Sequence, residues 1–227
     1  MKKLALASVL GLAGLSSFAV QASGAQGVGV AVNYGLISGP ALEVSYPISD
    51  VLQVRGALSA GMGLSESTSD TDINYDVEAD GGIHRLSMDY HPFAGSFFLS
   101  AGYAFNDFKL KANGRGTGSV DVGDETYDNA DLNLKGQIEW DSAPMLSLGF
   151  GHSPEAGWGA MIEVGAIFTG SPDASLDGTG TYDNGTVDVS TDPSFQQALR
   201  DEEAKLQNDV GDFDFLPILQ AGVTYRF

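Results

Sequence analysis

The sequence predicts an all-β fold: an eight-stranded antiparallel transmembrane β-barrel with long acidic extracellular loops and a short helix in the last loop. Three observations carry this prediction. The chain closes on Ala221-Gly222-Val223-Thr224-Tyr225-Arg226-Phe227, with Phe213, Phe215, Leu219, Ala221, Val223, Tyr225 and Phe227 on one face and Gln220, Gly222, Thr224 and Arg226 on the other. That is a strand apolar toward lipid and polar toward a lumen. At the other end, Lys2 and Lys3 precede the largely apolar Leu4 to Val20, and Val20-Gln21-Ala22 supplies the small residues of a cleavage site, so residues 1–22 read as a signal peptide and 23–227 as the barrel. Finally, the chain has 30 glycines and no cysteine, which suits strands and turns in a barrel that closes its own hydrogen bonds and needs no disulfide.

Period-two runs give eight strands in order. The first, about Gly27 to Tyr34, turns Val28, Val30, Val32 and Tyr34 outward. The second, Ala41 to Tyr46, turns Leu42, Val44 and Tyr46 outward and Glu43 inward, and Pro47-Ile48-Ser49-Asp50 follows as a tight turn. In the third, Leu52, Val54, Leu58 and Met62 alternate with Gln53, Arg55, Ala57 and Ser59. The fourth sets Leu86, Met88 and Tyr90 against Arg85, Ser87 and Asp89. In the fifth, Phe97, Leu99, Ala101, Tyr103 and Phe105 face out. One parity then holds from Leu134 to Phe150, a long sixth strand with Asn133, Lys135, Gln137, Glu139 and Ser147 inward and a bulge or break expected at Pro144. The seventh carries Trp158, Ile162, Val164 and Phe168 outward and Glu163 inward, and the eighth is terminal.

Connections after Tyr46, Tyr90 and Gly151 are short, whereas those after Gly63, Leu110 and Gly170 are long. Short periplasmic turns and long outer loops place both termini in the periplasm of a Gram-negative envelope, with the chain in the outer membrane. The acids then lie outside. Gly63 to Gly82 holds Glu66, Asp70, Asp72, Asp76, Glu78 and Asp80 and no base, and Ser171 to Asp214 holds eleven acids against Arg200 and Lys205. Without the two leader lysines the formal charge is −21, from 9 Lys plus Arg and 30 Asp plus Glu, which excludes nucleic acid as a partner. Thr191 or Asp192 caps a helix that Pro193 opens and that runs to about Asn208. Its apolar stripe, Phe195, Ala198, Leu199 and Leu206, is expected to cover the barrel mouth.

The inward positions are the candidate functional residues. Glu43, Arg55, Arg85, Asp89, Lys135, Glu139, Glu163 and Arg226 are predicted to form a lumen network of four acids and four bases. An eight-stranded interior is just wide enough for side chains to fill. These charges therefore read as a plug that holds a closed barrel, or as a selectivity path for small cationic or zwitterionic solutes. Asp70, Asp72, Asp76, Glu78 and Asp80, with Asn74, line one face of an extended hairpin arm that attracts cations weakly. The arm is no calcium loop, because Tyr75 and Gly81 stand where that loop needs Gly and the bidentate Glu. No metal site and no cofactor is predicted. The histidines give no catalytic pair: His91 and His152 fall in periplasmic turns, His84 lies near the outer end of the fourth strand, and adjacent His152 and Ser153 point to opposite faces. Gly114-Arg115-Gly116-Thr117-Gly118 reads as a mobile loop tip, since no helix follows it.

Several stretches together resemble the CarO-type family of small outer-membrane proteins. They are Pro92-Phe93-Ala94-Gly95 with Phe98-Leu99-Ser100-Ala101-Gly102-Tyr103, Ala143-Pro144-Met145-Leu146-Ser147-Leu148-Gly149-Phe150-Gly151, Trp158-Gly159 leading into Glu163 to Pro172, and Glu203-Ala204 through Asn208-Asp209 to Pro217 and Gly222-Val223. The resemblance covers about the last 140 residues, and its motifs are strand, turn and helix framework. It implies a non-enzymatic, porin-like barrel in transport, linked to uptake of ornithine and other basic amino acids and to carbapenem susceptibility. In architecture the chain is also similar to the OmpA, OmpX and OmpW types. The expected partners are outer-membrane lipid and lipopolysaccharide, the barrel assembly machinery through the strand ending in Phe227, and small cationic solutes. A second function class, a structural or surface-interaction barrel with a charge-plugged lumen, rests on the same residues.

Overall fold

The computed structural model describes residues 27–69, 73–152 and 156–227; the predicted signal peptide, Asp70, Asp72 and Ser153 lie outside them. In chain order the first strands are β1 (Gly29–Gly35), β2 (Gly39–Ser49), β3 (Leu52–Ser59), β4 (Leu64–Ser69), β5 (Ile73–Asp80), β6 (Ile83–Tyr90) and β7 (Phe97–Asn106). There follow β8 (Lys109–Val122), β9 (Glu125–Glu139), β10 (Ala143–Phe150), β11 (Gly157–Ile167), β12 (Asp173–Tyr182), β13 (Val187–Asp188), the helix α1 (Pro193–Val210) and β14 (Leu216–Arg226).

Eight of these strands close an antiparallel barrel in the order β1-β14-β11-β10-β7-β6-β3-β2. They are the strands that the alternation marks. In β2, Leu42, Val44 and Tyr46 are exposed while Ala41, Glu43 and Ser45 are buried; in β10, Leu146, Leu148 and Phe150 are exposed while Ala143, Met145 and Ser147 are buried. The outer surface is thus a continuous apolar band, and Trp158, Tyr225 and Phe227 meet edge to face at its terminus-bearing end, with successive ring centroids 4.9–5.0 Å apart. The predicted turn at Pro47–Asp50 is shifted: β2 runs through a bulge between Pro47 and Ser49, and the turn falls after it.

The other six strands form a second sheet, β13-β12-β9-β8-β5-β4, built from the three long connections. This is the main departure from the sequence reading. What reads as loop is paired backbone, with β8 and β9 in register from Lys109↔Glu139 to Val122↔Glu125 across one irregularity at Gly118/Val120. Gly114 to Gly118 is the middle of β8, held between β5 and β9, and is no loop tip. At two crossings from barrel to sheet the chain needs glycine: Gly61 (φ +76°) and Gly81 (φ +83°) are left-handed, and a Cβ on either would strike the carbonyl of Gly81 or Asp107.

The helix belongs to this second sheet. Asp192 accepts from Ser194 N and Phe195 N at 3.3 and 3.1 Å, Pro193 opens the first turn, and the helix extends to Val210, one half-turn beyond the expected end. Phe195, Ala198 and Leu199 pack on Val120, Val122, Tyr127, Ala130, Leu132 and Val189. The expected cover over the barrel mouth is therefore corrected: the apolar stripe meets the alternating apolar face of the outer sheet, which otherwise would lie open to solvent.

Candidate functional site: the barrel lumen

The lumen is filled by the inward parity of eight strands, and its contents form layers along the axis. Nearest the termini lies Arg226 on β14. Its guanidinium donates to Gly27 O and to Gln53 Oε1, both at 2.7 Å, and to His152 O at 3.4 Å. Gln53 on β3 passes the contact inward, donating to Asp89 Oδ2 at 2.9 Å.

Arg55 occupies the centre. It is 2 % exposed and touches three buried carboxylates, one on each of β2, β6 and β11. Its terminal nitrogens donate to Glu163 Oε2 at 2.6 Å and Oε1 at 3.1 Å, a bidentate fork that an ammonium could not reproduce. Asp89 accepts at 3.1 Å and Glu43 at 3.4 Å. Ser100 Oγ accepts at 3.2 Å, and the guanidinium carbon sits 5.1 Å from the Phe98 ring centroid. Glu163, wholly buried, takes further bonds from Ser147 Oγ and Gln220 Nε2, and Glu43 takes one from Asn33 Nδ2 and lies 3.0 Å from His152 Nε2. Arg85 bonds Gln220 Oε1 at 2.5 Å and lies 3.8 Å from Glu163.

The outermost layer is apolar. Ile83, Ala104, Ala143, Met145, Ile167, Leu216 and Ile218 pack with Phe108 at the end from which the outer sheet rises. Phe108 stacks on Trp140 at 5.8 Å between centroids, and the Trp140 indole donates to Phe213 O at 3.1 Å. Two cavities touch the lumen wall, of about 10 Å³ beside Arg85 and about 20 Å³ beside Arg226. Each has room for a single water-sized occupant. The arrangement resists passage: a solute would have to part both the Arg55 cluster and the apolar layer.

Six of the eight predicted lumen charges are brought together: Glu43, Arg55, Arg85, Asp89, Glu163 and Arg226, three acids and three bases. Lys135 and Glu139 are not among them. The single long strand expected from Leu134 to Phe150 breaks at 140–142, just before Pro144, so that both residues stand exposed on β9 in the outer sheet. The sequence reading also missed His152, which lies outside any strand, and the apolar layer. Its signal was a loss of alternation, with Met145 beside Leu146 and Ile218 beside Leu219. The acidic arm becomes the hairpin β4–β5, where Glu78 and Asp80 stand opposite Lys111 and Lys109. Lys111 bonds Asp80 at 2.7 Å and holds its carboxyl below the usual range. Asp76 lies exposed on the same strand. His84 and His91 serve the fold, His84 accepting from Ser59 N at 3.2 Å and His91 Nδ1 sitting 2.7 Å from Gly95 O.

No protein-family model matches the sequence, and no curated protein does. Solved structures do. The chain is similar to Acinetobacter baumannii CarO2, with a TM-score of 0.56 and 22 % identity over 88 % of this chain and 98 % of that one. It is likewise similar to Acinetobacter baumannii CarO, with a TM-score of 0.54 and 24 % identity over 88 % of this chain and 97 % of that one. Across nearly nine-tenths of its length, this eight-stranded barrel protein has the fold of the CarO structures.

Proposed function

We propose that this chain is a non-enzymatic outer-membrane barrel, closed at rest, that anchors an acidic sheet-and-helix platform on the outer side of the membrane. The single observation that carries the reading is the Arg55 cluster, one guanidinium tying β3 to carboxylates on β2, β6 and β11 across the lumen. Such a cluster is costly to open, because parting it leaves buried charges uncompensated. The band of exposed Leu, Val, Ile, Phe and Tyr on the barrel wall supports placement in lipid. The three long connections rise from one end as a folded sheet, and the acids of β5, β12 and α1 crowd that end, which suits contact with envelope components through divalent cations more than it suits an open mouth.

The channel reading retains one supporting observation, the acid excess outside, which would concentrate small cations such as basic amino acids at the barrel's outer end. Conductance of the purified protein in planar bilayers separates the two. Closed wild-type barrels, with current appearing only when Arg55→Ala is combined with Phe108→Ala, support the anchored platform. Steady cation-selective conductance in the wild type would overturn it.

A further inference from the structure

We propose that Arg226, Ser45 and Thr224 form a binding site for a single halide-sized anion at the terminus-bearing end of the lumen, and that the anion latches the seam between the first and last strands.

The site stands on the company that Arg226 keeps. Its guanidinium is buried, with the residue 5 % exposed, yet the acceptors it meets are all neutral: the Gly27 and His152 carbonyls and the Gln53 amide oxygen. Among the described residues, the lumen's other arginines both lie within 4 Å of a carboxylate and Arg226 does not. The nearest acid in the chain of contacts, Asp89, is held off by Gln53, which accepts from Arg226 and donates to Asp89. Among the described residues Arg226 Nε, like Arg85 Nε, has no hydrogen-bond partner. A buried cation with a spare donor and no carboxylate within 4 Å among the described residues is an expensive arrangement that a bound anion relieves.

The surroundings suit that occupant. The cavity of about 20 Å³ beside Arg226 is lined by Ser45, Thr224 and His152 and by Gly29, Gly157 and Gly159. The glycines make the room. A Cβ on Gly29 would run into Ser45 Oγ and come within 3.8 Å of an Arg226 terminal nitrogen, and one on Gly159 would lie 2.8 Å from Thr224 Oγ1. Two hydroxyl donors and a guanidinium therefore border one small space. With room for about one small occupant, it is closer in size to a monatomic halide than to a carboxylate or phosphate group.

The position gives the anion its effect. Arg226 pairs with Gly29 across the β1–β14 seam and bonds Gly27 O, while Gly27 N and Phe227 N complete the seam to Phe227 O and Val28 O at 3.2 and 3.0 Å. An ion bound to Arg226 in the folded barrel adds to stability in proportion to its occupancy. This inference is independent of whether the lumen conducts.

The test uses the full mature protein in detergent. Its thermal midpoint is measured at fixed ionic strength in sodium bromide, chloride, acetate and gluconate, and crystals grown in bromide are examined for anomalous scattering. Bromide and chloride are expected to raise the midpoint over gluconate, acetate is expected to match gluconate, and a bromide peak is expected beside Arg226. Arg226→Gln should abolish the halide effect, and Ser45→Ala, which keeps the cation and the fold, should weaken apparent bromide affinity by about tenfold, the loss of one hydrogen bond to a charge. No peak beside Arg226, a halide effect that survives unchanged in Ser45→Ala and Arg226→Gln, or an effect of acetate without bromide would each overturn the assignment.

Discussion

Arg55 on β3 and Glu163 on β11 meet across the barrel axis through two parallel hydrogen bonds of 2.6 and 3.1 Å, neither side chain more than 2 % exposed. No other cation lies as close to three carboxylates among the described residues. Arg55→Ala should therefore cost about 3–5 kcal/mol, since it strands Glu43, Asp89 and Glu163. The check is urea unfolding in lipid vesicles, followed by the gel-mobility shift between folded and unfolded barrel. Arg55→Lys should recover little of the loss, because an ammonium cannot fork to Glu163; full recovery would mean that charge alone matters.

The pair should also show coupling. Arg55→Met with Glu163→Leu replaces both charges, and buried pairs exchanged for apolar residues of similar volume are often neutral. The double variant is expected to be more stable than Arg55→Met alone. If it is less stable, Asp89 and Glu43 rather than Glu163 are the principal partners.

Leu148 and Lys135 test the register. Leu148 points outward from β10 in the apolar band, so Leu148→Arg should destabilise the inserted barrel by about 2–4 kcal/mol. Lys135 stands exposed on β9, and Lys135→Leu should leave insertion and stability unchanged. A large penalty at Lys135 would return it to the lumen.

The outer sheet depends on its helix. Phe195 is fully buried against Tyr127 and Leu132, and Phe195→Ala should cost that unit about 3–5 kcal/mol, read by hydrogen exchange in β8, β9 and β12. Gly178→Val should act alike, since a Cβ there would lie 2.8 Å from the Phe195 ring. The barrel strands should keep their protection in both variants.

Asp192 makes the same unit sensitive to acid. The Phe195 backbone N–H, with help from the Tyr182 hydroxyl and Ser194 N–H, holds its carboxyl below the ordinary Asp value. The capping contribution is thus fully present above the unfolded-state value and is lost as pH falls through the lowered one. Far-UV circular dichroism should show helix loss in that acid window, and Asp192→Asn, a cap that does not titrate, should flatten the dependence.

How much of this was legible in the sequence follows from the range of the forces involved. Alternation is local: an outward-facing Leu42 beside an inward Glu43 needs only the two-residue period of a strand, so all eight barrel strands and the inward direction of Glu43, Arg55, Arg85, Asp89, Glu163 and Arg226 could be read from the chain. The cap at Asp192 and Pro193 was equally local. Pairing is not local. Leu134 and Leu146 share a parity, yet they belong to different sheets, because Lys135 finds Asn113 and Asp177 as neighbours while Ser147 finds Ser100 and Gly165. The outer sheet, the helix seated on it, the apolar layer above Arg85 and the place of His152 beside Glu43 depend on contacts between residues distant in sequence, 109 positions apart for Glu43 and His152, which only the closed tertiary structure decides.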